Sequence, residues 1–253
     1  MQQKEHAQRL ASLHVKGHPL MLYNAWDAGT AKAIASAGSP AIATSSWAVA
    51  AAHGYEDGES IPFSLVEQIS ARIVGAVDVP VTVDIEGGYS DDAQHCAENV
   101  ARLLDHGIAG INFEDRVVAG SGLHAITAQA ERIRAIRQIA DARDIALFIN
   151  ARTDLYLGTG LAPNAGIAEA IERAKAYAEA GASGFFVPGL VDIDAIAELC
   201  DNVDLPVNVM MMPGAPDISV LAQARVARIS YGPGSYRQAM QAVRAAALEI
   251  MAA

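Results

Sequence analysis

The chain has 253 residues and a mass of 26.5 kDa, with 52% hydrophobic and 19% charged residues, the profile of a folded globular protein rather than a disordered one. Its 29 Asp and Glu outnumber 18 Lys and Arg, a formal net charge of −11, which argues against nucleic acid or an anionic membrane surface as partner, since both call for clustered cations. No run of roughly 18 uncharged apolar residues is present to span a bilayer, MQQKEHAQRLASLH lacks a signal-peptide core, and Cys96 and Cys200 are too few for a disulfide framework, so a cytoplasmic protein with ordinary thiols is expected.

Along the chain, short apolar runs alternate with Ala-rich stretches of helical period. PLMLYNAW (19–26) leads into DAGTAKAIASAG (27–38), and PAIATSS (40–46) into the acidic loop HGYEDGE (53–59). VPVTVDIEGG (79–88) is followed by SDDAQHCAENVARLLDHG (90–107), and AGINFED (109–115) by AQAERIRAIRQIADAR (128–143). ALFINART (146–153) precedes NAGIAEAIERAKAYAEAG (164–181), and SGFFVPG (183–189), LPVNVMM (205–211) and RVARISYG (225–232) complete the series. The runs read as strands buried on both faces. The intervening stretches carry apolar residues every three or four positions, early acidic residues and often a closing Gly, the start and stop signals of helices.

Strand–helix alternation repeated eight times predicts a (β/α)8 barrel occupying 1–253 as one domain. An open doubly wound sheet is the alternative, but the Gly-rich turn expected after its first strand is replaced by NAWDAG. In a barrel the active site lies at the C-terminal strand ends. Those ends carry Asn24 and Asp27, Ser45 and Ser46, Asp84 and Glu86, Glu114 and Asp115, Asn150, Arg152 and Asp154, Asn208, and Ser230. Asp27, Ser90, Asp91 and Asp115 serve equally well as helix N-caps.

Asp84 and Glu86, two residues apart, are expected on one side of the third strand end, with Glu114 on the neighbouring strand. Like charges so placed cannot all stay ionised without compensation. A hard divalent cation, Mg2+ or alternatively Mn2+, would supply it, with Asp57 as a further carboxylate acting through water. The competing arrangement is neutralisation by Arg116 or Arg152. Arg152 offers a fork of donors for a substrate anion, and Asn208 could bond the same anion. The histidines at 53, 95, 106 and 124 lack zinc-site spacing, and Ser45 and Ser46 have no partner His for triad chemistry.

DIEGGY (84–89), NFED (112–115), NARTD (150–154) and TSSWAVAAAHGYEDGE (44–59) resemble the isocitrate lyase/phosphoenolpyruvate mutase superfamily, as do GASGFFVPG (181–189), PVNVMMMPG (206–214) and VARISYGPGSYR (226–237). The resemblance runs from Pro19 to Met240 in the family's order. It implies a barrel holding Mg2+ and an α-oxo acid or its enolate, in subunits that form tetramers and exchange their last barrel helix; a homo-oligomer, tetramer or dimer, is expected. Asp84 would be the direct metal ligand, with Asp57, Glu86 and Glu114 acting mainly through water. Ser45, Ser46 and Trp47 would bind the pyruvyl unit, and Arg152 the leaving or transferring group, which makes Arg152, Glu114 and Ser46 the expected catalytic set. Two family loops are missing: EDRVVAGSGLHAI (114–126) has neither the catalytic Cys of the isocitrate-type lyases nor the Lys and Asn of the phosphonomutases.

These residues lead to a Mg2+-dependent lyase cleaving a C–C bond next to an α-oxo acid unit through an enolate, with His124 or a water as proton source. The alternatives are a phosphoenolpyruvate or phosphonopyruvate mutase or hydrolase acting on a P–C bond, and a non-catalytic barrel binding a phosphorylated metabolite at MPGAP (212–216) and YGPGS (231–235).

Overall fold

The structure is a computed structural model that describes residues 2–118, 120–157 and 165–252. Its strands are β1 (Leu20–Leu22), β2 (Ile42–Ala43), β3 (Val81–Asp84), β4 (Gly110–Glu114), β5 (Phe148–Arg152), β6 (Gly184–Phe186), β7 (Val207–Met210) and β8 (Arg228–Ser230). Helix α1 (Gln2–Ser12) precedes them, and α2 (Ala28–Ser36) follows β1. After β2 come α3 (Ser46–Ala52) and α4 (Phe63–Val74), then α5 (Ala93–Asp105) after β3 and α6 (Ile126–Ala142) after β4. Helices α7 (Ile167–Glu179), α8 (Ile193–Asn202), α9 (Ile218–Gln223) and α10 (Gly234–Met251) follow β5 to β8.

All strand pairs are parallel, in the order β1-β8-β7-β6-β5-β4-β3-β2. A parallel bridge between Ala25 and Thr44 closes the remaining seam, with the Ala25 N–H donating to Ala43 O at 2.8 Å. The predicted (β/α)8 barrel is therefore the fold. α1 plugs its N-terminal end: Leu10 is fully buried, and His14, just beyond the helix, stacks on Phe148 with ring centroids 4.0 Å apart. Barrel interiors are ordinarily filled by branched apolar side chains. This one carries a polar layer instead, formed by buried Asn112, Asn150, Asn208, Arg228 and Ser230.

The caps sort the strand-end polar residues. Asp27 caps α2 in a full capping box, accepting from Thr30 N at 2.7 Å while Thr30 Oγ1 accepts from the Asp27 N–H. The cap of α5 is Asp92, accepting from His95 N at 2.8 Å, and not Asp91, because the helix starts one residue later than expected. Asp115 is no cap either. It is fully buried, 3.0 Å from Arg173 and 2.8 Å from the Tyr177 hydroxyl, and it accepts from Asp154 N at 3.1 Å. The stretch expected to start at 164 becomes helical at Ile167, Asn164 itself lying outside the described residues.

Helix α10 is the exception to close packing. Only Ser235 is buried among its described residues, while Val243, Leu248, Ile250 and Met251 are exposed. None of the described helices is long and apolar enough to cross a membrane.

Candidate active site

At the C-terminal strand ends a cavity of about 340 Å³ opens, lined by Ser45, Ser46, Trp47, Asp57, Asp84 and Arg152 among others. These six were singled out from the sequence. Both Gly-containing loops contribute as well, Met212 and Pro213 after β7 and Tyr231 to Gly234 after β8. The apolar part of the lining is formed by Leu157, Phe186, Pro188 and Met210 to Met212, with the Arg152 guanidinium 5.9 Å from the Phe186 ring. Glu86 and Glu114 are not on this wall; they lie buried behind Asp84. Among the described lining residues Asn208 is also absent. It sits lower in the barrel, its amide 3.2 Å from Ser230 Oγ, because its place on β7 precedes the strand's last residue by two.

Asp84 ends β3, and its carboxylate Oδ2 accepts from both the backbone N–H (3.3 Å) and the hydroxyl (2.9 Å) of Ser46. Ser46, expected to face substrate, thus holds Asp84. Ser45 Oγ caps α3 with a long 3.4 Å bond from Ala48 N. Trp47 packs edge-on to Tyr236, and the Arg237 guanidinium lies over its ring at 4.8 Å.

Glu86 reaches the cluster by a route that strand alternation does not describe. It lies beyond the end of β3 with φ of 51°, a left-handed conformation costly for a residue with a Cβ. Its carbonyl accepts from Glu114 N at 2.9 Å, which sets the two residues side by side. Its carboxylate accepts from Glu59 N at 2.8 Å, and Glu59, also left-handed at φ 57°, accepts from Tyr89 N at 2.7 Å. The glycines of DIEGGY permit this turn: a Cβ on Gly88, at φ 84°, would come within 2.8 Å of Phe113. Beneath it the buried Arg132 donates to the carbonyls of Gly87 and Ser90 and lies over the Phe113 ring at 4.7 Å.

Arg152 is spoken for by the protein. It grips Asp154 with Nε (2.6 Å) and Nη2 (2.9 Å), and its Nη1 lies 2.9 Å from Glu114 and 3.9 Å from Asp84. The neutralisation by Arg152 weighed from the sequence is therefore present for Glu114. Arg116 forms no ion pair among the described residues, and neither Asp57 nor Glu86 has a cation within 4 Å among them.

The uncompensated charge appears in the protonation equilibria. Burial, reinforced by Asp57 and Asp84, pushes the Glu86 carboxyl up to about 8. Desolvation and the nearby Asp84 charge raise Asp57. Burial raises Glu114 well above the ordinary carboxylate range even though Arg152 opposes it. Asp84 Oδ1 and Glu86 Oε1 are buried and have no hydrogen-bond partner. Among the described residues no group of three His, Cys, Asp or Glu side chains could hold a metal by itself. The residues fit a hard cation held directly by one carboxylate, with oxygens of water and ligand completing the shell, the usual manner of Mg2+.

The segment after β4 folds back as a hairpin, with a bridge from Arg116 to Leu123 and Val117 N donating to Gly122 O at 3.0 Å; Ala119 lies outside the described residues. Val118 in this hairpin approaches Gly58 and Gly87, so the segment packs on the acidic loops. His124, expected as a proton source, sits at its base, 3.4 Å from Asp91 and outside the described cavity lining. The sequence reading missed Asn112, Glu59, Arg132 and Arg228. Glu59 was legible in principle, two residues from Asp57, but only the fold shows its bond to Glu86.

The family described as phosphoenolpyruvate phosphomutase matches residues 10–251. A protein of Mycobacterium tuberculosis is 37% identical over 235 residues, covering 93% of this chain and 86% of its own length. The 2-methylisocitrate lyase of Escherichia coli is 31% identical over 233 residues, 88% of this chain and 76% of that protein. Among solved structures, a candidate phosphonomutase from Burkholderia cenocepacia J2315 superposes with a TM-score of 0.94 at 42% identity, covering 98% of this chain and 99% of that one. A phosphonopyruvate hydrolase complexed with oxalate and Mg2+ shares the fold, with a TM-score of 0.84 at 23% identity over 97% of this chain and 86% of that chain. A match of this extent, on a barrel whose strand ends carry the motifs in order, makes the chain a member of the phosphoenolpyruvate phosphomutase family, within the isocitrate lyase/phosphoenolpyruvate mutase superfamily.

Proposed function

We propose that the chain is a divalent-cation-dependent lyase that cleaves a C–C bond next to an α-oxo acid unit. The observation that carries the reading is the meeting of Asp84, its Oδ1 unpartnered, with Ser46, Trp47 and Arg152 on one cavity wall, in front of the buried Glu86 and Glu114. Asp84 would hold Mg2+ directly, with Asp57, Glu86 and Glu114 acting through water, and the ion would supply Lewis-acid polarisation of the oxo and carboxylate oxygens. Ser46 keeps Asp84 oriented by its two hydrogen bonds. Arg152, held by Asp154, presents a fixed positive charge to the departing carboxylate fragment. With oxaloacetate, the bond to the distal carboxylate would break and that group would leave as CO2. The electron pair would pass into the adjacent oxo group, and a proton from water would close the resulting enolate to pyruvate.

The apolar lining favours this reaction over P–C cleavage. Leu157, Phe186, Pro188 and Met210 to Met212 suit an alkyl substituent. The E. coli methylisocitrate lyase points the same way. A phosphonopyruvate mutase or hydrolase is the second reading, supported by the family match and the B. cenocepacia structure. We also infer a homo-oligomer, a dimer or tetramer, from the exposed apolar face of α10.

The test incubates the protein with Mg2+ and oxaloacetate, alkylmalates, methylisocitrate or phosphonopyruvate, and measures pyruvate and phosphate. Pyruvate without phosphate supports the lyase; phosphate from phosphonopyruvate overturns it. Asp84→Ala should lower turnover by at least about a thousandfold, the scale of losing a main electrostatic stabiliser. Full activity in that variant would remove the cation from Asp84.

A further inference from the structure

The polar layer in the barrel interior reaches the cavity through Asn112 and Ser230, and the proposed function gives neither a role. Asn112 of β4 is 3% exposed, lies beside Asp84 in the β3–β4 register, and forms part of the cavity wall. Its Oδ1 accepts two hydrogen bonds, from Asn150 Nδ2 at 2.9 Å and Arg228 Nη2 at 3.3 Å. A guanidinium donates and cannot accept, so the amide atom turned toward Arg228 must be the oxygen. The NH2 group then points away from that pair, and it has no hydrogen-bond partner among the described residues.

Arg228 is in turn immobile. It is fully buried, its Nε donates to Ser230 Oγ at 3.2 Å, and Ser230 is tied to Asn208 at the same distance. Burial lowers its pKa only to about 10, so it remains a cation at neutral pH. Asn150 is fixed by its neighbour across the sheet as well: a Cβ on Gly184 would lie 2.9 Å from its Oδ1. A donor fixed at the cavity wall without a protein partner among the described residues fits an anionic oxygen brought in by a ligand.

We propose that Asn112 is a substrate-binding residue, locked with its NH2 group toward the cavity to donate to an oxygen of the bound α-oxo acid, with Arg228 and Asn150 as the positioning residues that set this polarity. The inference rests on the oxo-acid reading of the same cavity, and it adds a donor in the cavity wall beside Asp84. The ligand class it selects carries an ionised or enolic oxygen next to its carbonyl carbon, as oxalate does.

The experiment measures oxalate binding in the presence of Mg2+ by calorimetry, alongside thermal melting. Asn112→Asp keeps the oxygen that Asn150 and Arg228 require but replaces the NH2 group with a carboxylate oxygen of the same shape. It should weaken oxalate by about a hundredfold or more, by adding repulsion to the lost donor, without lowering Tm. Asn112→Ala, which introduces no charge, should weaken oxalate by about tenfold and serves as the measure should the Asp variant fold poorly. Arg228→Lys, which still donates to the same oxygen, should retain more affinity than Arg228→Met. Wild-type affinity in folded Asn112→Asp, or in Asn112→Ala, overturns the assignment and leaves the oxo-acid reading standing. Absence of oxalate binding by the wild-type protein with Mg2+ overturns the oxo-acid reading itself and this inference with it.

Discussion

At the scale of single residues, what distinguishes this site is how its charges are held. Asp154 takes two of the Arg152 donors and is itself buried, with its N–H donating to the fully buried Asp115. Breaking a buried ion pair from one side leaves an unpaired charge, at a cost of about 3 kcal/mol or more. Asp154→Asn should therefore lower Tm by roughly 6–12 °C in a chain of this size, whereas Glu169→Ala, which removes a half-exposed partner of Arg173, should shift it by roughly a degree. Equal Tm shifts in the two variants would show that Asp154 is no clamp. Which residues were legible from sequence follows from the same physics. The carboxylates, serines and Arg152 stand where apolar runs stop, a pattern visible in one dimension. Arg228 stands inside such a run, RVARISYG, where an Arg reads as an interruption, and only closure of the barrel turns it inward. Glu86 was placed correctly beside Asp84 for an incomplete reason. Strand alternation does not reach it, and a left-handed turn with two backbone hydrogen bonds brings its carboxylate in.

At the scale of elements, the eight strands were legible because burial on both faces leaves nearly continuous apolar runs, and their order follows once each helix returns the chain to the next parallel strand. Helix α3 was not, because its short Ala-rich stretch falls between the apolar run ending at Ser46 and the loop at 53–59 and is too brief to show a helical period. Nor was the role of α1, since nothing local to Gln2–Ser12 says which end of a barrel it will plug. That plug carries a pH consequence. Burial, with the Arg228 charge adding to it, depresses His14 from 6.5 to about 3, while its Nδ1 lies 2.7 Å from Leu10 O and its ring stacks on Phe148. The unfolded chain takes up a proton near 6.5 and the folded chain does not. The contribution of neutral His14 is thus fully present above pH 6.5 and is lost progressively as the pH falls toward 3. Each unit of pH across that window removes up to about 1.4 kcal/mol. In chelator, melting curves between pH 7.5 and 5 should slope steeply for the wild-type protein and less so for His14→Phe, which keeps the stack but cannot titrate. Parallel curves would show that other groups govern the acid limb.

At the scale of the whole molecule, the barrel and its eighth helix do not account for each other. Helices α4 to α8 each bury an apolar stripe, but α10 exposes Val243 at 61%, Leu248 at 53%, Ile250 at 73% and Met251 at 83%. On the barrel side, Met21, Tyr23, Ile34, Pro40 and Tyr231 line an open groove next to the β1–β8 seam, on the flank an eighth helix would ordinarily cover. A chain with a net charge of −11 repels copies of itself at long range, so association must come from short-range apolar burial. The groove and the helix are complementary in being apolar and uncovered, and reciprocal exchange of α10 would satisfy both at once. Sedimentation velocity at micromolar concentration should show a dimer or tetramer. Leu248→Lys combined with Ile250→Lys should shift it toward monomer, by placing charges where apolar contact is needed, and the dissociated form should melt at lower temperature as its groove is uncovered. High salt should not dissociate the wild-type assembly, because the contact proposed is apolar rather than ionic. A wild-type protein that sediments as a monomer, or a double variant that assembles as tightly as wild type, would leave the apolar face of α10 to some other partner.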